Sequence, residues 1–216
     1  MLIENLSQRL LRQAANAPQR TAVQLLHAGQ PDHTLTYADL CAHAAGYAAA
    51  LAAGGVQPGE VVIIILPHGA ALLAAYWGVV LHGAVPAIMP FLTEKLARER
   101  YLTDLASLLS ITQPAALITY AAFENEVRAV LPLGASVRAV LLSESVTPAA
   151  EWSAAALAGT RADAEAVALL QHSSGTTGLQ KGVALSHRAV INQLQAYGGA
   201  LQTSSADADR RRNEGD

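Results

Sequence analysis

The sequence predicts an α/β fold, a largely parallel sheet flanked by helices, and three observations predict it. Short continuous apolar runs such as Val61 to Leu66 recur along the chain, the pattern of strands buried on both faces. Stretches with helical apolar spacing alternate with them, which is the order of a sheet built from crossover units. The composition is apolar as well. Of 216 residues, 52% are hydrophobic and 14% charged, against roughly 25% charged in ordinary globular chains. Such a chain has core to bury and lacks the signature of disorder. Much of the apolar count is alanine, so close helix packing is expected rather than an aromatic core.

The elements follow in order. Leu2, Ile3, Leu6, Leu10 and Leu11 recur at helical spacing and stop before Pro18. Thr21 to Leu26 reads as a strand. Thr36 is placed to cap a second helix, with Asp39 three residues on in a capping-box position. That helix is expected to run to about Ala53 and stop at Gly54-Gly55. Pro58-Gly59 marks a turn before the strand Val61 to Leu66. A helix from Ala70 to His82 and a strand from Val85 to Met89 come next. Glu94 to Ser110 reads as a charged amphipathic helix. Ala115 to Thr119 and Val137 to Leu142 read as strands, and Ser143 to Ala164 as a loop with one helical turn.

Other classes are excluded by the same residues. A net charge of −3 gives no basic patch for a nucleic-acid partner. Ala70 to Met89 is nearly all apolar, but Gly83 and Pro86 interrupt it, so a buried helix, a turn and a buried strand are expected rather than a membrane span. The start MLIENLSQRLLRQ has no basic region followed by an apolar run, so no signal peptide is evident. The single cysteine, Cys41, forms no internal disulfide and fits a reducing compartment; a cytoplasmic location is expected. Cys41 itself reads as a small buried side chain. No His, Cys, Asp or Glu set has metal-ligand spacing, so no metal site is expected.

The segment that carries chemistry is Ala166 to Ile191. An apolar strand, Ala166 to Leu170, feeds a loop of small residues ending at Lys181. A second apolar run, Val183 to Leu185, follows, and Ser186 is placed to cap a helix beginning near His187. Ser173, Ser174, Thr176 and Thr177 offer hydroxyl donors, and Gly175 and Gly178 allow close backbone approach to a ligand. Backbone N–H groups in such a turn form an anion-binding concavity, and Lys181 adds a point charge suited to phosphate. These residues describe a polyphosphate loop; a Ser/Thr/Gly-rich surface turn is the other reading. It is not a Walker loop, since Lys181 is followed by Gly182 and then a strand, and no GxGxxG follows a strand.

The order SSGTTGLQKGVALSH resembles the signature of the adenylate-forming superfamily: acyl-CoA synthetases, fatty-acyl-AMP ligases, peptide-synthetase adenylation domains and luciferases. Ser173, Ser174, Gly175, Thr176, Thr177, Gly178, Lys181, Gly182, Val183, Ser186 and His187 match; Gln180 stands where the family usually has Pro. LTYADL, GVQPGEVVIIILPHG and GVVLHGAVPAIMP resemble its earlier segments in the same order. The resemblance implies ATP with Mg²⁺, a carboxylic acid substrate, and coenzyme A or a carrier-protein phosphopantetheine as acceptor. It implies that Ser173 to Lys181 hold the β and γ phosphates. Residues 1–203 would be the N-terminal portion of an AMP-binding domain and 204–216 a disordered polar tail.

The family's adenine-binding segment, magnesium carboxylate, ribose-binding Asp and mobile C-terminal domain with its Lys all come later than this sequence reaches. The resemblance therefore implies no complete catalytic set in this chain and a complementary ligase segment as a partner. A non-catalytic remnant or nucleotide-binding module is the alternative. Arg210 to Asp216 has no aliphatic or aromatic side chain to pair into a buried sheet, so this tail is expected not to be a native element, and the sheet would then lack neighbours and expose apolar surface. His187 is expected to be structural or loop-positioning, His68 and His82 partly buried structural residues, and His172 a residue lining the nucleotide site.

Overall fold

The structure, a computed structural model, describes residues 4–26, 29, 31–93, 96–131, 136–172 and 182–202. Helix α1 (Leu6–Asn16) opens on a capping box: the Asn5 side chain accepts from the Gln8 N–H, and the Gln8 side chain accepts from the Asn5 N–H. Leu2 and Ile3 lie outside the described residues. Strands β1 (Thr21–Leu25) and β2 (His33–Thr36) form a separate antiparallel pair. The sequence reading missed β2, which is short and mostly exposed. Helix α2 (Tyr37–Ala53) starts on the expected box, with Thr36 and Asp39 reciprocally bonded, and ends at Gly54.

The main sheet has six strands in the order β6-β5-β3-β4-β7-β8. They are β3 (Val61–Ile64), β4 (Val85–Ile88), β5 (Ala116–Thr119), β6 (Ala139–Leu142), β7 (Val167–His172) and β8 (Gly182–Ser186). Every pairing is parallel except β7 with β8. The largely parallel sheet is thus as the apolar runs predict.

Strand alternation divides the core into two layers. On one face Val62, Ile64, Ala116 and Ile118 pack against Tyr47 and Leu51 of α2 and Ala75 and Val79 of α3 (Ala70–His82). On the other, Ile63, Ile65, Ala87 and Leu117 meet Tyr101, Leu105, Leu108 and Leu109 of α4 (Arg98–Thr112) and Val127 of α5 (Glu124–Val130).

The apolar stretch Ala70 to Met89 resolves into α3, a left-handed turn at Gly83 (φ 85°) and β4. Among the described residues, no helix is long and apolar enough to cross a membrane. Helices α2 and α3 approach closely at Gly78, where an added Cβ would lie 2.3 Å from Tyr47 Cβ. The alanine-rich packing expected from composition is realised there.

Three sequence expectations need correction. Helix α4 begins at Arg98 rather than Glu94 and continues to Thr112. Helix α5 was not anticipated; its charged residues Glu124 and Arg128 pair one turn apart on an exposed face, and Val127 is its one buried residue, too little apolar repeat to read. Residues 143–164 hold three 3-10 turns rather than one helical turn (Ser143–Ser145, Ala154–Ala156 and Ala158–Arg161).

Candidate functional site

Strand β7 runs parallel to β4, so it leaves the sheet at the same end as β3, β4 and β5. In open parallel sheets that carboxyl edge is where ligands bind. The residues read as the phosphate loop, Ser173, Ser174, Gly175, Thr176, Thr177, Gly178 and Lys181, lie outside the described residues. Their two ends are described. His172 and Gly182 are paired across an antiparallel ladder that continues through Gln171 with Val183 and Leu169 with Leu185. The two residues that flank 173–181, His172 and Gly182, are therefore neighbours across the ladder.

The foot of the hairpin is fixed by helix α6 (His187–Ala200). The Ser186 side chain caps it by accepting from the Ala189 N–H, as the sequence predicts. The backbone N–H groups of His187 and Arg188 donate to Ala166 and Ala164, and Arg188 pairs with Glu165. Both strands of the hairpin are thus tied at their sheet end.

His187 is 4% exposed. Its Nδ1 accepts from the Leu6 N–H at 3.3 Å, and burial holds its pKa below the usual histidine value. A ring that is buried, neutral and committed to a backbone donor is a structural group, in line with the expected role. His82 is also structural and buried, donating from Nε2 to the Val56 carbonyl at 2.8 Å. His68 departs from expectation: it is exposed at the carboxyl edge, edge-on to Phe91 with ring centroids 5.6 Å apart. His172 ends β7, and its side chain is not among those described. Cys41 is fully buried and its thiol is pushed up to about 11 by burial, so it serves as core.

Sequence reading missed Asn5 and the start of α1. Asn5 is 1% exposed, and its Nδ2 donates to the carbonyls of Gly159 (3.0 Å) and Ala162 (2.8 Å), with a longer contact to Thr160 (3.4 Å). Ser7 Oγ donates to the Val80 carbonyl at 3.0 Å. A capping-box pattern, Asn5-Leu6-Ser7-Gln8, was available as the signal. It reveals the helix start but not the bonds to residues so distant in sequence.

Beyond this foot the site is open. Val183 is 49% exposed and Tyr197 57%, and Val167, Leu194 and Leu201 are exposed with them. Among the described residues no group of three His, Cys, Asp or Glu side chains converges as for a metal ion.

Comparison with known proteins fits this architecture. The family model for AMP-binding enzyme matches residues 10–211. Pyochelin synthetase PchE of Pseudomonas aeruginosa is 30% identical over 195 residues, covering 90% of this chain and 12% of that protein. The 4-coumarate–CoA ligase 2 of Nicotiana tabacum is 28% identical over 162 residues, covering 74% of this chain and 29% of the ligase. The crystal structure of fatty acyl-adenylate ligase from L. pneumophila, in complex with acyl adenylate and pyrophosphate, shares the fold. Its TM-score is 0.75 at 21% identity, over 94% of this chain and 34% of that one. This chain spans about a third or less of the length of these proteins. With a family match over nearly its whole length and an α/β sheet that agrees, the chain belongs to the AMP-binding enzyme family.

Proposed function

We propose that this chain supplies the phosphate-binding segment of an ATP-dependent ligase. The ligase activates a carboxylic acid as its acyl-adenylate and passes the acyl group to a thiol of coenzyme A or of a carrier-protein phosphopantetheine. The observation that carries the reading is positional. In a chain of this family, the strand that precedes Ser173 ends at the carboxyl edge of a parallel sheet, and the strand that follows Lys181 pairs antiparallel with it and leads into a capped helix. In the reaction the acid's carboxylate attacks the α-phosphorus of ATP and pyrophosphate leaves. The hydroxyls of Ser173, Ser174, Thr176 and Thr177 and the backbone at Gly175 and Gly178 would hold the β and γ phosphates. Lys181 would neutralise charge on that leaving group.

Among the described residues no three His, Cys, Asp or Glu side chains converge as for a metal ion, and the carboxylate that would hold Mg²⁺ would come from the complementary ligase segment. Residues 1–203 act as the N-terminal portion of the AMP-binding domain, and a complementary ligase segment supplies the acid pocket and the remaining catalytic groups. The relatives' greater length supports this division.

Calorimetric titration of the purified chain with ATP tests the reading. Lys181→Ala removes charge-assisted contacts worth ~1.5–3 kcal/mol, which is about 10- to 100-fold in Kd. Unchanged affinity would reject the phosphate role. Given a carboxylic acid, the chain alone should exchange no pyrophosphate into ATP; exchange would overturn the proposed division of labour.

A further inference from the structure

We propose that Asn5 and His187 are positioning residues, a brace through which the N-terminal end of α1 sets the position of the β8–α6 junction and thereby the hairpin's affinity for polyphosphate. The second half of this statement rests on the phosphate-loop reading above. The geometry that carries it is a closed circuit. Asn5 anchors α1 to the carbonyls of Gly159 and Ala162, and Ser7 anchors it to Val80 of α3. The next backbone donor, the Leu6 N–H, is one of those that no intrahelical carbonyl reaches at a helix start. It is spent on His187 Nδ1, in the first residue of α6, directly after β8.

Leu6, Val80, Ala168 and Ile191 form a small apolar cluster around this bond. That cluster joins α1, α3, β7 and α6, so a shift of α1 is transmitted to both strands of the hairpin. The junction is also held by the β7–β8 ladder, which reaches Ser186 opposite Val167, by the two backbone bonds to Ala164 and Ala166, and by the exposed Arg188–Glu165 pair. Exposed ion pairs contribute little. From Gln193 to Tyr197 α6 is exposed on every side. The brace is therefore the buried side-chain bond that ties the start of α6 to α1.

Two substitutions separate the brace from simple helix capping. Asn5→Ser keeps a capping oxygen for the Gln8 N–H but removes the donors to Gly159 and Ala162. His187→Leu removes the acceptor for Leu6 while keeping bulk, and His187→Asn restores an acceptor close to the Nδ1 position.

The experiment measures ATP affinity by calorimetry, urea midpoints, and the amide resonances of Leu6 and of Gly182 to Ser186 by NMR. The expected result is that Asn5→Ser and His187→Leu shift the 182–186 resonances and weaken ATP between about ten- and a hundred-fold, as displacement of a positioned site does, while unfolding stays cooperative. His187→Asn should recover binding to within about threefold of wild type, less than half the logarithm of the tenfold loss. Should His187→Leu fail to fold, Asn5→Ser and His187→Asn decide.

The brace is overturned if folded Asn5→Ser leaves both the 182–186 resonances and ATP affinity unchanged while Lys181→Ala weakens ATP. It is equally overturned if His187→Asn binds as poorly as His187→Leu. If the wild-type chain does not bind ATP, the phosphate reading fails and the affinity half of the brace fails with it. The 182–186 resonances then decide the structural half alone.

Discussion

Gly78→Ala and Gly199→Ala are the same chemical change in two helices, and the structure gives them opposite signs. A methyl group at Gly78 would sit 2.3 Å from Tyr47 Cβ and 2.8 Å from the Ala44 carbonyl oxygen. Carbon atoms in good contact lie about 3.5–4.0 Å apart, so α3 must move from α2 by roughly 1 Å or more. Backbone and a Cβ cannot swing aside as a side-chain tip can. Overpacking of this kind costs ~1–3 kcal/mol, offset by up to ~1 kcal/mol of helix propensity. With a 2.3 Å clash placing the cost in the upper part of that range, the net loss is ~1–2 kcal/mol, and at about 2–4 °C per kcal/mol the melting temperature falls by roughly 2–8 °C. Gly199 has nothing within 4 Å of its added Cβ. There only the propensity gain remains, reduced because the helix ends one residue later, and the melting temperature rises by about 1–2 °C. Thermal unfolding followed by far-UV circular dichroism reads both. A Gly78→Ala protein at least as stable as wild type would refute the close approach of α2 and α3, and with it the packing of the first core layer.

Stability should also depend on His187. Its folded pKa lies below the ordinary value of 6.5 because the ring is buried, so the unfolded chain binds the proton more readily. The neutral ring's contribution is complete above 6.5 and is lost as pH falls through that value and the lowered folded one. His187→Asn, which does not titrate, should flatten that part of a urea-midpoint profile; an unchanged profile would place the dependence elsewhere. Cys41, buried with a raised pKa, should resist an aromatic disulfide reagent in the native chain and react stoichiometrically in urea. Rapid native labelling would contradict its burial.

The elements that could be read in the sequence are those whose signals are local. Gly83 and Pro86 divide α3 from β4, and the Thr36-Asp39 box fixes the start of α2 to the residue. Ser186 likewise places α6. The elements that escaped are held by partners distant in sequence. Strand β2 is set by its pairing with β1, where Leu35 lies opposite Val23 and is buried. Helix α5 exists because Val127 fills the second core layer. In the candidate site the same division applies. The proposed phosphate donors within residues 173–181 can be read as residue types, since glycine, hydroxyl and lysine chemistry is local. The tether of that loop cannot, because Asn5 meets Gly159 and Leu6 meets His187 only after the whole sheet has formed between them.

Packing is uneven in a way that bears on function. Strands β3 and β5 are buried on both faces and lie in the middle of the sheet, while β8 is the antiparallel edge strand with its first residues exposed. The chemistry-bearing run is therefore attached where the core contributes least. An element so placed takes its position from directional bonds rather than from burial, since apolar contact is non-directional. The Asn5 amide and the His187 ring supply such bonds, and both are nearly inaccessible to solvent. A buried donor left without its acceptor costs more than the bond itself contributes, so the Leu6 N–H holds His187 in place as firmly as His187 holds Leu6. Under the proposed brace, the buried His187 ring keeps the β8–α6 junction where α1 requires it.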